Sequence, residues 1–148
     1  MSASKELPER LAEIIADFKL AEGREKLELL LEYSQNLAPL PEALNHPHAP
    51  MEPVPECMTP VSVTAEIQNG GMVFYFRIPE ESPTVRGYAA IIADGLKGAS
   101  PEQVMNLPAD FFLEMGLQQV LTPQRLNGMS AIIAHVKRLA MGILQTKN

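Results

Sequence analysis

The sequence predicts an α+β fold, and three observations predict it. Apolar residues recur at helical spacing near both ends of the chain. A single central stretch alternates with a period of two and carries a turn signal in its middle. The order is two helices, a hairpin and then helices, which keeps the two kinds of structure apart along the chain. The expected architecture is an N-terminal helical hairpin, a small antiparallel sheet built on a β-hairpin, and C-terminal helices packed on one face.

The first helix rests on Leu7, Leu11, Ile14, Ile15 and Phe18. Pro8 suits its first turn, where a missing N–H costs nothing. Gly23 breaks it. The second helix puts Leu27, Leu30, Leu31 and Leu37 inside and Glu28 and Glu32 outside. Seven of the 13 prolines then fall between Pro39 and Pro60. That density forbids a regular helix and disfavours a central strand. A long loop is expected there, with any third strand hidden inside it or missing.

The β signal follows. Val61, Val63, Ala65 and Ile67 alternate with Ser62, Thr64, Glu66 and Gln68. Asn69-Gly70-Gly71 accepts positive φ cheaply, which suits a tight hairpin turn. A turn at Asn69-Gly70 pairs Ile67 with Met72, Ala65 with Phe74 and Val63 with Phe76. One face of the hairpin then packs and the other stays wet. After Pro83, the stripe Val85, Ala89, Ile92 and Leu96 predicts a helix that Gly95 and Gly98 end. Ser100, Pro101 and Gln103 form a capping-box start. Thr122-Pro123 opens the last helix, buried through Leu126, Met129, Ile132, Ile133 and Val136.

Length and charge narrow the function classes. The 148 residues suit one domain, 1–148. A net charge of -6 argues against general nucleic-acid binding, which needs clustered Lys and Arg. One Cys excludes an internal disulfide framework and a cysteine-rich metal site. The longest apolar stretch, Tyr88 to Ala93, is too short to span a bilayer. The polar N-terminus, MSASKELPER, lacks the apolar core of a signal peptide. A soluble, cytoplasmic protein with a reduced thiol is expected.

Cys57, in the proline-rich loop, is the candidate for chemistry. The bland alternative is a small residue tucked under a loop, inert because buried. A reactive Cys must be a thiolate, and no Lys or Arg occurs from Leu27 to Phe76 to favour one. Glu56 beside it disfavours the thiolate. Cationic help has to come from elsewhere in the fold, with Arg86 and Arg125 as candidates. Arg125 sits in the first turn of the last helix, slightly unfavourable for a cation, which hints at a partner. His46 and His48 flank Pro47 and read as a solvated loop without a third metal ligand. His135 falls between core and surface positions and reads as structural. Phosphate-loop, metalloprotease and nucleophile-elbow motifs are absent from the sequence.

Taken together, these features resemble the SufE-type sulfur-acceptor family of iron–sulfur cluster assembly. The resemblance rests on the two N-terminal helices, the single Cys in the loop entering the first strand, and the hairpin. It rests also on Arg86-Gly87 in the central helix and on the tail pattern Leu121, Pro123, Arg125, Gly128. The family usually has Gly before the Cys and Ser two residues after it; here those places hold Glu56 and Thr59.

The resemblance implies a SufE/NifU-like fold and a mechanism without a cofactor or metal of the protein's own. A pyridoxal-phosphate cysteine desulfurase holds a persulfide, Cys57 takes its outer sulfur, and an Fe-S scaffold complex receives it. Arg125 is the second site residue, supporting the Cys loop or meeting the partner, and Arg86 the third. The resemblance also implies that Cys57 turns into an apolar cavity and is largely buried at rest. Two alternatives stay open. One is a non-catalytic partner or regulator of a desulfurase. The other is an unrelated Cys hydrolase, which needs a histidine within reach of Cys57.

Overall fold

A computed structural model describes residues 7–146. Helix α1 (Glu9–Leu20) buries Leu11, Ile14, Ile15 and Phe18, the expected stripe. Pro8 stands just before it, and its carbonyl accepts the first helical bond, from Ala12 at 3.0 Å. Gly23, at φ 50, separates it from α2 (Arg24–Ser34).

The buried face of α2 differs from expectation. Leu30 is fully buried, but Leu27 and Leu31 are only half-buried. Leu37 is buried from the coil beyond the helix, which stops at Ser34. Lys26 is buried instead, at 4% exposure. Its ammonium donates to the Phe18 carbonyl and, at 3.0 Å, to the Met115 carbonyl. The Phe18 carbonyl lies in the last turn of α1, where intrahelical donors run out. Lys26 therefore supplies a missing donor, and that donor role compensates for its burial.

The sheet has three strands in the order β1-β2-β3: β1 (Glu52–Pro53), β2 (Ser62–Gln68) and β3 (Gly71–Arg77). Both pairings are antiparallel, and Ile67–Met72, Ala65–Phe74 and Val63–Phe76 stand opposite each other as the alternation requires. Asn69 and Gly70 make the turn at φ 53 and φ 82, the left-handed backbone of a primed hairpin turn. Val63, Met72, Phe74 and Phe76 are buried, while Ile67, near the hairpin tip, is 38% exposed. The third strand does lie in the proline-rich stretch. It is two residues long and at the sheet edge, where a proline is tolerated.

Helix α3 (Pro83–Leu96) runs through Gly95 and ends only before Gly98, at φ 84. Gly95 is buried within it because α1 crosses there: a Cβ on Gly95 would meet the Leu11 side chain at 2.8 Å. Helix α4 (Pro101–Met105) carries the predicted capping box, with Ser100 and Gln103 bonded reciprocally. Single turns at Phe111–Leu113 and Leu117–Gln119 lead to α5 (Pro123–Thr146). The Thr122 hydroxyl caps that helix by accepting from the Arg125 N–H at 3.3 Å. Helices α3 and α5 cover the apolar face of the hairpin, and the buried residues of all elements join in one hydrophobic cluster. No helix among the described residues is long and apolar enough to cross a membrane.

Candidate functional site

Cys57 sits in the connection from β1 to β2. The ladder continues past the end of β1, with the Val54 N–H donating to the Val61 carbonyl at 2.9 Å. Val54 is buried and anchors the base of the loop. The Cys57 N–H then donates to the Val54 carbonyl at 3.2 Å, which closes a turn ahead of the cysteine. Pro55 and Pro60 restrict the backbone on either side. A short paired base thus presents the only thiol of the chain near the loop tip.

The thiol faces the first turns of α5. Its S–H donates to the Gly128 carbonyl at 3.5 Å. A Cβ on Gly128 would stand 3.1 Å from the Cys57 Sγ and 3.4 Å from the Tyr88 hydroxyl. Glycine lets the thiol approach that helix more closely than a residue with a Cβ would. These groups share a cleft of about 450 Å³ with Met58, Gln124 and Arg125. Met58 is 78% exposed at the rim, and the Gln124 amide reaches its sulfur. Tyr88 is buried apart from its approach to the cleft, and its hydroxyl has no hydrogen-bond partner among the described residues.

Electrostatics favour the protonated thiol at rest. Burial pushes the Cys57 pKa up, and the Glu56 carboxylate pushes it further. Tyr88 is pushed up to about 12, by burial first and then by Cys57, with Arg125 acting against both. The arrangement can therefore hold a neutral thiol beside two potential donors, a phenol and a guanidinium. Chemistry at sulfur requires the proton to leave.

The candidate residues divide. Arg125 lies in the cleft with Cys57. Arg86 does not line it; its guanidinium donates to the Ile78 carbonyl at 2.9 Å and ties α3 to the end of the hairpin. Cys57 is half-buried, rather than largely buried as expected, because the cleft opens past Met58. His46 and His48 are exposed, and the His46 carbonyl accepts from Arg77 at 2.8 Å. His135 is buried at 6% exposure and does bind the Cys loop, through Glu52 and Glu56 rather than through the sulfur.

Tyr88 and the pair Glu52–His135 were not singled out by sequence reasoning as site residues. Tyr88 sits in a stripe that reads as core, and Glu52 lies 83 residues from its histidine. Gly128 was legible only as the last residue of the tail pattern.

Comparison with known proteins agrees with the fold. The SufE profile, described as an Fe-S metabolism associated domain, matches residues 12–140. An uncharacterized SufE-like protein of Mycobacterium tuberculosis is 41% identical over 139 residues, covering 93% of this chain and 96% of the relative. The cysteine desulfuration protein SufE of Plasmodium vivax is 29% identical over 101 residues, covering 63% of this chain and 42% of that protein. The solution structure of a hypothetical protein from Thermus thermophilus superimposes with a TM-score of 0.83 at 33% identity, covering 95% of this chain and 99% of that one. A profile match over most of the chain, near-complete relatives and the same fold agree: the chain belongs to the SufE family, whose domain is associated with Fe-S metabolism.

Proposed function

We propose that Cys57 accepts sulfur from the persulfide of a pyridoxal-phosphate-dependent cysteine desulfurase and passes it to an Fe-S cluster assembly scaffold. The observation that carries this reading is the sole thiol near the tip of a loop with a paired base, beside an open cleft. In the step, the Cys57 thiolate attacks the outer sulfur of the donor persulfide. The donor's S–S bond breaks as the new one forms, and the electron pair leaves on the donor cysteine as a thiolate. The Cys57 proton ends on that leaving thiolate or on solvent, and no net oxidation occurs. The rate follows the thiolate fraction and access to the sulfur. Arg125 lines the same cleft, which supports giving it the task of favouring an anionic sulfur. A cytoplasmic setting suits this role because the thiol stays reduced there.

The raised pKa of Cys57 favours a second reading, a partner or regulator of a desulfurase that carries no sulfur itself. One experiment separates the two. The protein is incubated with a cysteine desulfurase and cysteine, and its intact mass is measured. The expected result is a reductant-sensitive gain of one sulfur that Cys57→Ser abolishes. A demonstrable complex with no gain would favour the regulator. Neither gain nor complex with two different desulfurases would reject both.

A further inference from the structure

The loop that carries Cys57 is fastened to α5 at two points by one side chain. His135 Nδ1 bonds the Glu52 carboxylate, on β1 at the base of the loop. His135 Nε2 bonds the Glu56 carboxylate at 3.1 Å, next to Cys57 itself. Arg138, one turn further along α5, donates to the same Glu52 oxygen at 2.9 Å. The histidine side chain is 7% exposed and the Glu56 side chain 59% exposed. The ring is therefore held in place by its packing, and the carboxylate is the part free to leave.

We propose that His135 is the positioning residue of the Cys57 loop: bonded to Glu52 it fixes the base, and bonded to Glu56 it holds the tip down so that the thiol rests against Gly128. Release of Glu56 alone lets the tip swing outward while the Glu52 bond and the Val54–Val61 pairing keep the base in register. The two bonds thus have different tasks, and only the exposed one opens. This assignment rests on the reading of Cys57 as the sulfur acceptor. The alternative role for the cluster is purely structural, with loop and helix joined for stability and no bearing on the thiol.

The test uses Cys57 as its own reporter, since no other thiol is present in the chain. Alkylation rates are measured with a small reagent, iodoacetamide, and with a bulky maleimide. The bulky-to-small rate ratio cancels the thiolate fraction, so it reads access alone. Glu56→Ala opens the tip bond only and is expected to raise the ratio on the order of tenfold or less, as for a charged hydrogen bond weakened by solvent. Glu56→Gln offers the ring nitrogen both an acceptor and a donor, so it can bond Nε2 in either tautomer and should keep the ratio within about twofold of wild type. His135→Ala should raise it at least as far as Glu56→Ala, provided thermal melting shows a folded protein. If it does not fold, the two surface variants decide the matter. A ratio unchanged by Glu56→Ala overturns the proposal, as does Glu56→Gln matching Glu56→Ala. Desulfurase takes no part in these measurements, so failure of the sulfur-acceptor reading shows in the mass experiment and failure of the clasp shows here.

Discussion

Two clefts on the surface differ in character, and the larger of the pair is chemically the quieter. A cleft of about 650 Å³ lies between α2, α3 and β3, bordered by Arg10, Tyr33, Tyr75, Asp94 and Lys97. Its guanidinium and its phenols already have side-chain partners, Tyr75 donating to Glu66 at 2.9 Å. Arg10 donates to Asp94 at 2.9 Å, to Glu13 at 3.1 Å and toward the Tyr33 hydroxyl at 3.4 Å. The Cys57 cleft is smaller, about 450 Å³, yet its guanidinium and its phenol have no side-chain partner among the described residues. Groups that are already paired gain little from a newcomer. Groups facing a cleft without partners can still bind or stabilise one. A guanidinium and a phenol with bonding capacity left beside a thiol, not volume, distinguish the two places.

The contrast can be broken or sharpened by substitution. The largest effect belongs to Cys57→Ser, which should remove sulfur acceptance entirely and leave the melting temperature nearly unchanged. Gly128→Ala comes next. An added methyl would stand 3.1 Å from the Cys57 sulfur, tighter than ordinary contact, so the thiol must shift. We expect a fall in sulfur acceptance on the order of tenfold, with overpacking destabilising by about 1–3 kcal/mol less the helical gain of Ala over Gly. Single-turnover loading and a denaturant melt would read both. Normal loading in that variant would show that the resting position of the thiol has no influence on transfer.

A smaller effect is expected at Glu52. Burial raises its pKa, but the bonds from His135 and Arg138 outweigh this and leave it below the usual 4.5. A carboxyl depressed in the folded state adds stability above its unfolded pKa, and that stability is lost as pH falls through the folded value. Glu52→Gln should therefore lower the melting temperature at neutral pH and converge with wild type in acid. Parallel melting curves from about pH 6 to about pH 3 would contradict this. The smallest effect is expected in the large cleft. Arg10→Ala removes an ion pair whose side chains are 45% and 44% exposed, and should cost no more than about 1 kcal/mol without touching sulfur acceptance.

The hairpin was the most legible part of the sequence. Strict alternation around Asn69-Gly70 leaves one register, since a one-residue slip would turn the apolar set outward. The caps at Ser100 and Thr122 were legible for a similar reason: each is a local rule obeyed within four residues. Local rules did not reveal the short strand at Glu52–Pro53, whose partners lie across the Cys loop. They misread Gly95 as a stop because its use is a close approach to Leu11 in another helix. The burial of Lys26 had no local signal either, because one of its two acceptors, the Met115 carbonyl, lies 89 residues away.

The site follows the same division. Cys57 and Arg125 stood out by rarity and by motif, and the resemblance to the SufE family was visible in the tail pattern around Arg125. Arg86 is instead bonded to the Ile78 carbonyl, beyond the end of β3, and does not line the cleft. The contacts of His135 were invisible for want of any local signal: its two glutamates lie 79 and 83 residues away.

The paired base of the loop also sets a ruler. Cys57 lies three residues past Val54, and an extended chain advances at most about 3.6 Å per residue. With Val54 held, the Cys57 backbone can travel no more than roughly 11 Å from that anchor. A donor sulfur at the bottom of a deeper, narrow tunnel lies beyond the loop alone. Any protein that hands sulfur to this cysteine must offer it near its surface, or bring a flexible sulfur-bearing arm of its own to meet the loop partway.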